Sequence, residues 1–275
     1  MRDGLASPFF PMSLAERAVY PTQPAPLRQQ IEDLLRRAPR ADDVQGTLLG
    51  LIVPDSNRLS GGAVAAEAYK LLEGEDVDTV VLVEPSHEGA FGRLAVCRAD
   101  AYRTPLGDVP VNDAFRNELC DEDDDIFLDD RGHYHTEGAG VQLPFLQHVL
   151  GGEDGAGFSV VPIAMGEESP DLCRELGAAI GEVMYSKRAI VVASADLLDA
   201  EDGALGRFVE ALEGFEVSEL MHLMASETVR VEGMGAVLVA VIAAQHRGAN
   251  RARVLRIEEP AADRPGAFAC ALWRD

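Results

Sequence analysis

Two apolar runs separated by a helix-length segment constrain this chain more than any other feature. Residues 46–87 read GTLLGLIVPDSNRLSGGAVAAEAYKLLEGEDVDTVVLVEPSH. Thr47–Pro54 and Thr79–Pro85 are short, continuous and rich in Val, Leu and Ile, as strands buried on both faces are. Between them lie a loop, Asp55–Ser60, and a small-residue stretch that predicts a helix near Gly61–Leu72. Together these form one βαβ unit. Its strands run parallel and end at the same edge of a sheet. Asp55 and His87 stand just past those ends, and the two strands are expected to be neighbours. Open α/β sheets bind their ligands at that edge.

The rest of the chain continues the pattern. Pro8, Pro11, Pro21, Pro24 and Pro26 break up the first residues, so residues 1–45 read as an arm followed by a helix at Leu27–Ala38. Further strands are predicted near 93–103, 158–165 and 189–196, with helices at 112–120, from about Gly140, and at 169–184. Asn112 or Asp113 caps the first of these, and Ser169 with Pro170 opens the last. The acid run Asp121–Asp130 reads as a solvated loop, since it lacks the spacing of a calcium loop. Helices near 203–212, 218–226 and 234–246 follow. Two final strands, 251–259 and 266–274, make an antiparallel pair at an edge. The expected architecture is one α/β domain, its mainly parallel sheet held between helix layers, with antiparallel strands near the C-terminus.

Composition narrows the partners. With 47 acidic against 24 basic residues the net charge is −23, which disfavours nucleic acid and anionic membranes. Lys70 and Lys187 are the only lysines. An acid-rich, lysine-poor surface is what a high-salt cytoplasm selects, so a halophilic or high-GC source is expected and single carboxylates say little about chemistry. No basic cluster precedes an apolar run at the start, and no run reaches the ~18 residues of a membrane span. Cys97, Cys120, Cys173 and Cys270 have no CxxC spacing; Cys97 and Cys270 read as reduced core residues of a cytoplasmic protein.

Polar groups stand where three apolar runs stop. Asp55 follows Val53–Pro54, His87 follows Pro85–Ser86, and Asp196 follows Ser194–Ala195 with Asp199 three residues on. His133, His135 and Glu137 precede the helix near Gly140. Imidazole with carboxylates suits a divalent metal with open positions, such as iron, manganese or zinc, and equally a general acid and base. Each residue also has a plain explanation: Asp55 as a turn former, the aspartates as surface acids, the histidines as solvated loop residues. There is no GxGxxG after a strand, no P-loop and no GxSxG elbow.

Several segments, in order, resemble the Memo family, a group similar in fold to the class III extradiol (LigB-type) non-haem iron dioxygenases. They are VPDSNRLSG (53–61), EPSH (84–87), TPLGDV (104–109), TEGAGVQLPFLQ (136–147), VVPIAMG (160–166), SADLLDA (194–200) and GMGAVLVAV (233–241). TPLG and VQLPFLQ are the most specific of these. The family pattern has VPHAGY, GPSH, EHS, SSDLSH and a cysteine–glycine step, which together carry its metal or active site. By that resemblance the site positions here are Asp55, His87, Glu137, Asp196, Asp199 and Met234. Only His87 and Asp196 keep the family residue, and they remain the candidate catalytic pair. Three histidines have become carboxylates and a thiol has become a thioether.

The change turns a nitrogen-rich pocket into an oxygen-rich one, away from soft metals and toward magnesium, manganese or calcium. Crowded without a cation, Asp55, Glu137, Asp196 and Asp199 would repel, unless some are protonated or an arginine such as Arg58 neutralises them. Two expectations follow. One is a binding or scaffold protein that has lost the family site, with no certain cofactor and no ring cleavage. The other is a metal-dependent enzyme (Fe, Mn, Mg or Zn) with an altered, carboxylate-rich site on Asp55, His87, Glu137, Asp196 and Asp199. The resemblance also suggests AMMECR1-like and radical-SAM proteins as partners.

Overall fold

The runs Thr47–Val53 (β2) and Thr79–Pro85 (β3) are strands in which every residue but Thr47 is buried. The computed structural model describes residues 9–11, 20–55, 59–122, 125–133, 138–151 and 157–275. With β8 (Ser159–Met165) and β9 (Ala189–Ser194), these strands make the parallel centre of an eight-stranded sheet. The spatial order is β12 (Arg251–Glu258), β13 (Ala267–Arg274), β2, β9, β3, β8, β4 (Leu94–Val96), β7 (Ile126–Leu128). β12 and β13 pair antiparallel, as expected, and β13 runs antiparallel to β2. At the other side β4 is antiparallel to β8 and β7 parallel to β4.

One expectation is overturned: β2 and β3 are not neighbours. β9 lies between them, parallel to both, pairing Val53 with Ser194 and Val83 with Ala193. A crossover helix requires only that its two strands share a sheet and a direction, so a strand arriving later in the chain can enter between them.

Side chains along the strands alternate between two cores, as a period of two demands. Val81, Val83, Val191 and Ala193 face one, and Val80, Leu82, Ile190 and Val192 the other. The second core holds α1 (Pro24–Arg37), α2 (Leu59–Tyr69) and α4 (Gly138–Val149) through Leu27, Ile31, Val64, Tyr69 and Phe145. The first holds α3 (Asp113–Glu122), α5 (Pro170–Val183), α6 (Ala204–Glu213), α7 (Val217–Ser226) and α8 (Met234–His246). Helices thus cover both faces, as expected for a mixed α/β domain. The predicted caps form: the Phe115 amide donates to Asn112 Oδ1 at 3.0 Å, and the Leu172 amide to Ser169 Oγ at 3.4 Å.

Three local readings change. The run 93–103 is two strands in different sheets, β4 and β5 (Ala101–Thr104); β5 joins β6 (Gly107–Pro110) and β1 (Phe9–Pro11) in a three-stranded sheet. The acid run is not loop throughout, because Ile126–Leu128 adds the edge strand β7. The segment after β9 forms β10 (Asp196–Ala200), which pairs antiparallel with β11 (Val229–Glu232), an element that charge and mixed polarity hide in the sequence. TPLG is the β5–β6 turn: the Thr104 hydroxyl lies 2.6 Å from Gln147 Oε1, and the Gln147 amide donates to the Gly107 carbonyl at 3.2 Å. The two most specific motifs are therefore bonded to each other. All four cysteines are free, with Cys97, Cys173 and Cys270 buried. Among the described residues no helix is long and apolar enough to cross a membrane.

α5 packs on α8 through glycines. A Cβ on Gly177 would lie 2.7 Å from Ile242 Cβ and 3.2 Å from the Val239 carbonyl oxygen. Ala is the better helix former, yet here overpacking wins. Gly177→Ala is expected to lower the unfolding free energy by about 1–3 kcal/mol. A urea melt showing equal or greater stability would contradict this contact.

Candidate functional site

β2, β9 and β3 end side by side, and each end delivers one polar side chain. Asp55 follows β2, Asp196 opens β10 directly after β9, and His87 lies two residues past β3. The Ala195 amide donates to the Val53 carbonyl at 2.9 Å, and the Asp55 amide to Asp196 Oδ1 at 3.0 Å. The Ser194 hydroxyl donates to Asp55 Oδ1 at 2.6 Å. Asp55 and Asp196 are each only 2% exposed.

His87 sits between two carboxylates. Nε2 is 2.8 Å from Asp55 Oδ2, out of line for a linear hydrogen bond but well within ion-pair distance. Nδ1 is 3.4 Å from Glu232 Oε1, which arrives on β11. The contact with Asp55, then that with Glu232, raises the imidazole pKa to about 11 against the opposing pull of burial. The same contact holds Glu232 below its ordinary carboxylate range. These groups line a cleft of about 520 Å³, closed on another side by residues 261–265.

Two more acids lie behind the rim. Glu84 is fully buried, which raises its pKa; its Oε2 accepts the Ala139 amide at 2.5 Å, in the first turn of α4. Glu168, its pKa also raised by burial, accepts the Gly235 amide at 2.8 Å in the first turn of α8. Both use the partial positive charge of a helix start.

The structure brings together Asp55, His87 and Asp196. It does not bring Asp199 to them. The register of β10 shifts between Leu197 and Asp199, and Asp199 emerges with its side chain 62% exposed, paired with Arg230 at 3.1 Å. The spacing after Asp196 suggested a shared pocket; the bulge re-aims the side chain. Glu137, His135 and Arg58 lie outside the described residues. His133 is a core residue: Nε2 lies 3.0 Å from the Ala95 carbonyl oxygen, and Nδ1 lies 3.2 Å from Tyr102 Oη and 3.7 Å from Glu84 Oε1. Met234 is buried at the first position of α8. Before it, Gly233 has φ +80°, and a Cβ there would lie 2.5 Å from the Ser194 carbonyl oxygen.

Sequence reasoning missed Glu232, Glu168, Glu84, Ser194 and Gln142. Glu84 and Gln142 stood inside recognised motifs, and Ser194 at the end of a read strand. Glu232 and Glu168 carried no signal among so many surface acids.

The described donors do not fit the metal centre that the resemblance implies. Both imidazole nitrogens face carboxylates, both Asp55 oxygens are engaged, and no thiol is present. Among the described residues no three His, Cys, Asp or Glu side chains are arranged to hold an ion.

A mostly parallel sheet between helices, with a polar cleft at the strand ends, defines a mixed α/β protein with a cleft at its carboxyl edge. A profile described as Memo-like protein matches residues 12–262. A MEMO1 family protein of Methanopyrus kandleri is 30% identical over 255 residues, covering 86% of this chain and 87% of its own. One from Sulfolobus acidocaldarius is 29% identical over 246 residues, covering 83% and 85%. The chain belongs to the Memo family. The crystal structure of an uncharacterized protein from Escherichia coli K12 shares the fold, with TM-score 0.57 and 14% identity over 82% of this chain and 99% of that one.

The ion cluster ties stability to pH. The raised pKa of His87 gives a contribution fully present below the unfolded value near 6.5 and lost as pH rises toward about 11. Urea unfolding from pH 7 upward is expected to show a steeper loss in the wild type than in His87→Gln. Parallel profiles for the two proteins would remove the clamp from the site's energetics.

Proposed function

We propose that this protein is a binding or scaffold member of the Memo family whose site works without a resident metal. The observation that carries the reading is the His87 ring held between Asp55 and Glu232. Metal ligation needs a neutral imidazole with a lone pair aimed at the ion. Here the ring is placed to be a cation, and the carboxylates that would complete a coordination shell are spent on it. Asp196, retained from the family pattern, supports the same reading, because its Oδ1 accepts the Asp55 amide. The cleft beside this cluster is the binding surface; ring-cleaving chemistry is not part of the proposal. AMMECR1-like and radical-SAM proteins are the partners we would test first in pull-downs.

The test is metal analysis of protein purified without a histidine tag, followed by calorimetric titration with Mn²⁺, Fe²⁺ and Zn²⁺. We expect far less than one metal per chain and no saturable binding that His87→Ala abolishes. Stoichiometric metal that disappears in His87→Ala would replace this reading with the metal-dependent enzyme.

A further inference from the structure

Of the two glutamines in VQLPFLQ, Gln142 is fully buried. Its Nε2 donates to the Pro54 carbonyl at 2.8 Å and to Ser194 Oγ at 3.0 Å. Its Oε1 lies 2.8 Å from Tyr69 Oη. A carbonyl can only accept, so the contact with Pro54 sets which end of the amide is NH₂. Oε1 then faces Tyr69, whose hydroxyl must donate. Ser194 Oγ accepts a hydrogen bond from Gln142, which leaves its own hydroxyl hydrogen to donate to Asp55 Oδ1 at 2.6 Å. Every donor in the chain Tyr69, Gln142, Ser194 therefore points toward the Asp55 carboxylate.

Asp55 is held at more than one point. Gln142 takes the carbonyl just before it, Asp196 takes its amide, and Ser194 takes one carboxylate oxygen. The other oxygen, Oδ2, is left to His87. We propose that Gln142 and Ser194 are positioning residues for His87, acting through Asp55 to hold the imidazole at the cleft. The proposal rests on the metal-free reading of the site, in which His87 lies between Asp55 and Glu232. It assigns a role to a motif glutamine that touches neither the cleft nor His87. The relay spans α2, α4 and the end of β9, so it ties helices of one core to the strand edge that carries the site.

The test follows the His87 ring N–H protons by NMR at one fixed pH, in the wild type and in Tyr69→Phe, Gln142→Met and Ser194→Ala. Nε2 is shielded from solvent in the wild type, so its proton should exchange slowly. Ser194→Ala is expected to speed that exchange about tenfold or abolish the signal, the effect of losing one buried hydrogen bond to a charged group, and Gln142→Met, which unseats Ser194 and the Pro54 carbonyl, to act in the same direction. Tyr69→Phe keeps the ring stacked on Phe145 at 5.0 Å and removes only the outermost donor, so it should fold and act more weakly in the same direction. Leu146→Val, on the same helix, lowers stability without touching the relay and should leave the His87 signals unchanged. Unchanged His87 signals in all three relay variants overturn this proposal alone. So does an equal change in Leu146→Val, which would make the effect one of packing. Absence of slow ring protons in the wild type overturns both this proposal and the metal-free reading beneath it.

Discussion

A carboxylate with 2% of its surface exposed must be met by donors, and the neighbourhood of Asp55 is arranged around that requirement. Leaving such a group unpaired costs several kcal/mol after relaxation. Two groups meet the carboxylate, Ser194 at the end of β9 and His87 across the cleft, while Asp196 accepts the Asp55 amide and Gln142 donates to the preceding carbonyl. Ser194 and Asp196 meet Asp55 because β9 lies beside β2. The insertion of β9 between β2 and β3 thus brings these two groups into the site. It aligns three strand ends within one hydrogen-bond register.

Much of this architecture was legible in the sequence because it rests on local physics. Continuous Val, Leu and Ile runs identify buried strands whatever their neighbours. Ser169–Pro170 and Asn112 mark helix starts because orphan amides there need oxygen acceptors. Strand order is different in kind. Nothing in Thr47–Val53 records whether Thr79–Pro85 or Ala189–Ser194 will pair with it, because all three have the same buried composition. β10 and β11 were hidden for another reason: they form a short, half-exposed ribbon whose sequence mixes Asp, Arg and Glu with Val and Leu. Glu232 was lost with them. Asp199 was misplaced because one bulged residue reverses which way a side chain points, and bulges leave little trace in periodicity.

The substitutions that separate this chain from the family pattern make sense as a set. Put Asp where the pattern has a histidine at position 55, and the neighbouring His87 gains a fixed anion. Glu232 then faces the same ring from β11. An imidazolium between Asp55 and Glu232 offsets part of the repulsion that these acids would suffer alone. The surrounding acids respond to the remaining field. Glu84 and Glu168, deeper and behind the rim, have raised pKa values with burial as the first cause, and each turns an oxygen to the amide of a helix start. Of the expected acids, Asp55 and Asp196 line the cleft, joined there by Glu232.

That distinction decides how far the family resemblance reaches into chemistry. A shared fold places a cleft at the carboxyl edge of a parallel sheet, and it does so here. What the cleft does depends on whether its imidazole is available. An imidazole clamped by a carboxylate on each nitrogen is a positive point fixed in an acidic surface, able to orient a ligand but poorly placed to release or take up a proton near neutral pH. General base catalysis needs a pKa near the working pH, and a value of about 11 is several units away. On the metal-free reading we propose, the ring is a rigid recognition element, because both its neighbours are themselves anchored to strand ends.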